Sequence, residues 1–192
     1  LQGKRNQSMP NYVASATNVY GGGSASLGPA YLPFVIGSDP NAKNFKVNNL
    51  ALSPTIKNRL DDRRLLLGGL DGLRRDIDNS RLMDSIDKFH QEAINLLTSR
   101  KAQRALDISQ ESPQTREKYG RHKWGQRALL ARRLVEADVS LVTVNWDDDH
   151  KDDKVSPHWD THVENFPKLK DRLCPVFDRA MSTFLADLDE RG

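Results

Sequence analysis

Cysteine is nearly absent from this sequence: Cys174 is the single one in 192 residues. An internal disulfide is therefore excluded, and the lone thiol says little about compartment, because an oxidising location permits disulfides without requiring them. Long apolar runs are lacking too. None approaches the ~18–20 residues that a membrane-spanning helix needs, so no membrane span is expected. No leader is visible: the chain starts at Leu1, and the stretch from Leu1 to Met9 has no apolar core. The expectation is that it begins inside a longer product or after a cleavage.

Several catalytic signatures are missing as well. There is no G-x-S-x-G elbow. The glycines Gly21, Gly22 and Gly23 lack the Lys-Ser/Thr ending of a phosphate loop and the spacing of a dinucleotide loop. The acidic run fits no calcium-loop pattern. Cys174 precedes Pro175 in a helical stretch and reads as a buried, inert thiol. The serines lie in caps or in the N-terminal loop, and none has a neighbouring base that the sequence assigns.

What is present is a soluble, globular balance of 37% hydrophobic and 29% charged residues, enough for one domain with a sizeable core. The net charge of +3 hides two opposite blocks. Between Ser112 and Arg133 seven basic residues (Arg116, Lys118, Arg121, Lys123, Arg127, Arg132, Arg133) stand against Glu117. Between Asp138 and Asn165 eight acids stand against Lys151 and Lys154. One reading is two solvated faces that partly neutralise each other. The other is a cation site in the acidic block and an anion-facing patch in the basic one. Nucleic-acid binding by the basic block is not expected, because no recognition motif accompanies it.

Three regions follow from the pattern. Residues 1–50, rich in Gly, Asn, Ser and Pro, read as a long irregular segment in which Tyr31 to Ile36 suits a strand or an extended loop. Residues 51–137 read as helical. Ser53-Pro54 opens a first helix that carries Ile56, Leu60, Leu65 and Leu67. The best part of a second runs from Ser80 to Ser99, and His90 beside its apolar stripe reads as a packing or surface residue. Shorter helices are expected over Arg100 to Leu106 and from Pro113 to near Gly120, and an amphipathic one from Gly125 to Ala137. Residues 138–192 read as a strand, an acidic loop and a terminal helix. The run from Val139 to Val144 is β-branched and nearly all apolar, which suits a strand buried on both faces of a parallel sheet. From Pro167 to Glu190 the inner face reads as Leu169, Leu173, Phe177, Met181, Phe184, Leu185 and Leu188, with Pro175 splitting the helix near Leu173. Because one parallel-type strand cannot satisfy its own backbone groups, its neighbours are expected from sequence before Leu1 or after Gly192.

The densest chemistry follows that strand: Trp146, Asp147, Asp148, Asp149 and His150, then His158, Trp159, Asp160, Thr161 and His162. In open α/β sheets ligands bind beyond the carboxyl ends of strands. Imidazole and carboxylate together suit a divalent ion, and Asp160 and His162, two apart, point the same way from an extended loop. Such an ion would polarise a phosphoryl or sulfuryl oxygen or lower the pKa of a bound water. Against this, a run with five acids in the seven residues from Asp147 to Asp153 is commonly a solvated loop. Trp159 reads as an anchor for the loop.

The run Leu129-Leu130-Ala131-Arg132-Arg133-Leu134-Val135-Glu136-Ala137, followed by Val142-Thr143-Val144-Asn145-Trp146, resembles a large bacterial family. So do His158-Trp159-Asp160-Thr161-His162, Asn165-Phe166-Pro167, the helix from Asp178 to Leu188, and Leu27-Gly28-Pro29-Ala30-Tyr31-Leu32-Pro33-Phe34 near the start. The family is domain of unknown function 1501, grouped with the sulfatase and alkaline phosphatase superfamily. The resemblance implies a helix-rich, incomplete piece of an alkaline-phosphatase-like α/β/α sandwich around a mostly parallel sheet. It implies a metal-dependent hydrolase of phosphate or sulfate esters, a small anionic ester as substrate of the full-length parent, and export to a periplasmic or extracellular location. It assigns metal binding to Asp160 and His162, with zinc, manganese, calcium and iron not distinguished. Asp138 departs from the family's usual Gly at a position that suits a left-handed backbone. The superfamily's early and late metal-binding segments are absent, so the missing flanks of the domain are expected partners and no turnover is expected from this chain alone. The alternative is a non-catalytic helical interaction module whose basic block binds an anionic partner.

Overall fold

A computed structural model describes residues 9–16, 31–45, 47, 99–146 and 159–192. Three strands, β1 (Tyr12–Ser15), β2 (Phe34–Ile36) and β3 (Leu141–Val144), form a parallel sheet in the order β2-β1-β3. The register pairs Val13 with Phe34 on one side and with Val142 on the other. Leu141 N donates to Asn11 O at 3.0 Å, and Asn145 N to Ser15 O at 3.2 Å, which extends the β1–β3 ladder at both ends. The strand after Asp138 therefore finds its neighbour inside this chain, in the region whose composition reads as irregular. The expectation that its partners lie outside residues 1–192 is corrected on that side. Val139 is 2% exposed, yet Leu141 and Val144 are 45% and 38% exposed. Among the described residues β3 has β1 on one side and no strand on the other, and the exposure of Leu141 and Val144 shows that it is not buried on both faces.

The helices begin where side chains can take up the free N–H groups of a first turn. In α1 (Arg100–Leu106) Ser99 Oγ accepts from Ala102 N at 3.2 Å. In α2 (Pro113–Lys118) Ser112 Oγ accepts from Thr115 N at 3.0 Å, and Pro113 fills the first position, where no N–H is needed. The helix α3 (Lys123–Glu136) packs against β3 and presents Leu129, Leu130 and Leu134 to a core with Val13, Ile36, Leu106, Ile108, Tyr119 and Val139. Burial of each such Leu or Ile is worth roughly 1.5–3 kcal/mol. After α3 the chain reverses through Asp138, whose φ of 71° is the left-handed conformation expected there. The first two helices expected from the sequence, opening at Ser53-Pro54 and best over Ser80 to Ser99, lie outside the described residues up to Ser99, which is itself extended and caps α1; His90 lies outside them too.

The terminal helix is split where Pro175 predicts. A short turn, α4 (Asn165–Pro167), leads into a π-helical stretch, Lys168–Leu173, and then α5 (Cys174–Arg191). Cys174 N–H bonds to Leu169 O, five residues back. Cys174 itself is only half-buried. The inward face of α5 is not the expected stripe. Of that stripe Leu173 is buried and Phe184 packs against the core, and Ala180 is buried beside them, whereas Phe177, Met181, Leu185 and Leu188 are exposed. The helix docks instead through polar groups one turn apart. Arg179 pairs with Glu117 at 2.7 Å, Thr183 Oγ1 donates to Lys118 O at 3.0 Å, and Tyr119 donates its hydroxyl hydrogen to Asp187 at 2.7 Å. Arg191 pairs with Glu136 at 3.1 Å.

At the carboxyl end of β1, Ala16 holds a φ of 89° while its N–H donates to Ile36 O at 2.8 Å. A side chain in that region costs about 1–2 kcal/mol. Ala16→Gly is expected to raise stability by about 0.5–1 kcal/mol, since glycine's extra unfolded-state entropy offsets part of the relief. Urea unfolding measures it, and a loss of stability would mean that the methyl group's packing outweighs its strain.

Candidate functional site

Beyond β3 the chain passes Asn145, whose carbonyl accepts from Arg127 Nη1 at 3.2 Å, and reaches Trp146. Trp146 stacks on Trp124, from the first turn of α3, with ring centroids 4.3 Å apart and planes 8° from parallel. Trp159 meets Trp146 edge to face at 5.6 Å and 78°. Phe177 of α5 stands 5.7 Å from Trp159 at 79° and 6.3 Å from Trp146. Lys123 Nζ lies 5.3 Å from the Trp124 centroid, a cation–π distance. All three tryptophans of the sequence thus converge at the carboxyl end of the sheet. Trp159 is tied down as its reading as an anchor requires. The roles of Trp124 and Phe177 are not visible in local pattern, although the scarcity of tryptophan was itself a signal.

The segment that Trp159 anchors carries Asp160 and His162. Nε2 of His162 is 2.9 Å from Asp160 Oδ1, and the two side chains are 64% and 71% exposed. Thr161 Oγ1 is hydrogen-bonded to Asn165 Oδ1 in the same segment, and Glu164 takes a left-handed φ of 56° ahead of α4. The spacing of two therefore brings the carboxylate and imidazole together. Each offers one donor atom to a divalent ion. Among the described residues no group of three or more His, Cys, Asp or Glu side chains gathers to hold a metal. Asp147, Asp148, Asp149, His150, Asp152, Asp153 and His158 lie outside the described residues, as do Gly21, Gly22 and Gly23.

The basic block is largely turned inward. Arg116 Nε donates to Gln126 Oε1 at 2.6 Å and its Nη2 to Pro40 O at 3.3 Å. Gln126 returns two bonds of 2.9 Å, to Arg116 O and Gly120 O. Arg132 is 1% exposed. Its Nη1 bonds both Glu136 oxygens at 2.9 Å, while Nε and Nη2 lie 2.9 Å from Asp187 and 2.7 Å from Glu111 as ion pairs without well-directed hydrogen bonds. Arg133 Nε donates to Ala105 O at 3.1 Å. The acids that neutralise the block are Glu111, Glu117, Glu136 and Asp187. From the acidic block, Asp138 pairs with Lys101. The block's acids from Asp147 to Asp153 lie outside the described residues.

These contacts shift several ionisations. Burial alone would raise Glu111 and Asp187. The contacts of Arg133 and Arg132 with the first, and of Arg191, Tyr119 and Arg132 with the second, outweigh it and hold both carboxyls below their ordinary values. Tyr119 is pushed up by burial and by its bond to Asp187. His122 is pushed down by burial and by the charge of Arg179, which suits its task. Its Nδ1 caps α3 by accepting from Gly125 N at 3.1 Å, and only an unprotonated nitrogen can accept.

A hollow of about 330 Å³ is lined by Lys101, Arg104, Ala105, Arg133, Glu136 and Ala137. It lies at the C-terminal end of α3, away from Trp124 and from the strand ends where open α/β sheets bind ligands. Among the described residues no helix is long and apolar enough to cross a membrane.

The family model described as "Protein of unknown function (DUF1501)" matches residues 1–192. No curated protein and no solved structure matches the chain.

Proposed function

The chain belongs to the DUF1501 family, and from that premise we propose that it is part of a metal-dependent hydrolase of phosphate or sulfate esters. In this reading the three parallel strands are a portion of a larger α/β/α sandwich of the alkaline phosphatase type. Asp160 and His162 supply two ligands of a divalent ion, which is zinc, manganese, calcium or iron, and the remaining ligands come from elsewhere in the full-length protein. The substrate is a small anionic ester.

One observation carries the reading. A carboxylate and an imidazole stand 2.9 Å apart, open to solvent, on the segment after the carboxyl end of a parallel strand. Ligand sites of open α/β sheets occupy that position. An ion held there would polarise an ester oxygen or lower the pKa of a bound water. Mixed oxygen and nitrogen donors suit the metals named, apart from calcium, which favours oxygen alone.

The test is metal content by mass spectrometry on the full-length protein, with Asp160→Ala and His162→Ala beside the wild type. The wild type is expected to hold about one or two ions, and each variant to lose metal while its circular dichroism is unchanged. Unchanged metal content in both variants would remove the assignment. The second reading, a non-catalytic module whose basic block binds an anionic partner, has less support. Arg116, Arg132 and Arg133 face their own backbone and carboxylates, which leaves Lys118 and Arg121 as the block's exposed cations.

A further inference from the structure

The aromatic cluster does more than anchoring requires. Trp146 is held between Trp124 and Trp159, so the cluster has a fixed rear wall. In front of it, Trp159 and Phe177 stay 38% and 42% exposed. Anchoring alone favours full burial of rings this large, since each buries some 150–250 Å² when covered. Their planes meet at 79° with centroids 5.7 Å apart, which makes an open corner of two rings. The chain after Trp159 is polar: Asp160, Thr161, His162 and Asn165 follow within seven residues, with Asp160 paired to His162 and Thr161 to Asn165, and the side chains of Asp160 and His162 exposed.

We infer that this corner is a carbohydrate-binding site, in which a pyranose ring stacks on Trp159 and Phe177. A pyranose has one face of C–H groups, which loses little by leaving water for an aromatic ring, and a rim of hydroxyls that must keep hydrogen bonds. A corner of rings beside exposed polar side chains matches both halves. A wholly apolar ligand would leave the polar rim without use and is better served by an enclosed pocket. The rear wall removes ring motion before binding, so little entropy remains to be lost when a sugar seats. Stacking on Trp159 and Phe177 needs no metal, although the polar neighbours Asp160 and His162 are also the ion ligands of the hydrolase reading.

The experiment uses the full-length protein on an array of neutral and anionic glycans, followed by calorimetric titration of the glycan that gives the strongest signal. Wild type is expected to bind at least one glycan. Trp159→Ala and Phe177→Ala should each weaken it by about tenfold or more, and Trp159→Tyr, which keeps a ring, should retain most of the affinity. Near-ultraviolet circular dichroism of the Tyr variant guards against simple unfolding. Chelation with EDTA should leave binding unchanged. Absence of signal across the array would overturn the inference. So would equal affinity in Trp159→Ala, or loss of binding on chelation, which would move the seat of binding to an ion.

Discussion

Arg132→Ala is expected to destabilise the protein by about 3 kcal/mol, the lower end of the range for breaking a buried ion pair. The guanidinium is enclosed and touches three carboxylates, so its removal leaves a void and strips countercharge from Glu111 and Asp187, which are 12% and 14% exposed. The lower end applies because neither acid is left bare. Arg133 still holds Glu111, and Arg191 and Tyr119 still hold Asp187. Glu136 is 43% exposed and falls back on water, so it adds little. Urea unfolding at neutral pH measures the difference, and a loss below about 1 kcal/mol would show that the outer partners suffice. The pH dependence follows with a definite sign. Both carboxyls have folded-state values below their ordinary 4.5 and 3.8. Their contribution is complete above that range and is lost as pH falls through the lowered values. Wild type and variant should therefore converge in stability as the medium is acidified.

Gly125→Ala should be destabilising by about 3 kcal/mol, the reverse of the ~1 kcal/mol gain that this exchange brings in an open helix. A Cβ at Gly125 would stand 2.0 Å from Tyr119 O and 2.8 Å from Gly120 O, both backbone atoms. Neither can swing aside as a side-chain tip would. Moving Tyr119 would disturb its bond to Asp187, and moving Gly120 would disturb its bond to Gln126, so one methyl group reaches two networks. Thermal and urea unfolding both report it. A neutral result would mean that the turn between α2 and α3 yields freely.

How far the sequence carries depends on the range of the interaction. The start at Pro113 and the split ahead of Pro175 are set by neighbours within a few residues and were legible, and the left-handed Asp138 followed from the family resemblance; the caps at Ser99 and Ser112 are equally local but were not read. β1 was not. Tyr12–Ser15 is four residues long, shows no alternation, and becomes a strand only through pairing with Phe34–Ile36 and Leu141–Val144. The apolar run of β3 identified a strand but not the exposure of Leu141 and Val144, because hydrophobicity reports what could be covered and not what covers it. The stripe on α5 held only at Leu173 and Phe184, for a related reason. Asp187 and Thr183 look like solvent-facing residues until Tyr119, Arg132 and Lys118 are brought to them. At the candidate site the nearness of Asp160 and His162 followed from their spacing, whereas the meeting of Trp124, Trp146, Trp159 and Phe177 is tertiary and leaves no local trace.

The π-helical stretch Lys168–Leu173 also bears on how this chain can tolerate change in length. A π turn is an α turn with one residue too many, and it behaves as a stored insertion. Each residue of an α-helix advances by about 100° around the axis, so the extra one sets the angular phase of everything upstream relative to α5. Trp159, Asp160 and His162 all lie on that upstream side. Loss of one residue between 168 and 173 would let the helix run on as a regular one, and the upstream segment would turn by about that angle while α5 kept its docking on α3. A single codon thus works as the dial that aims the candidate site.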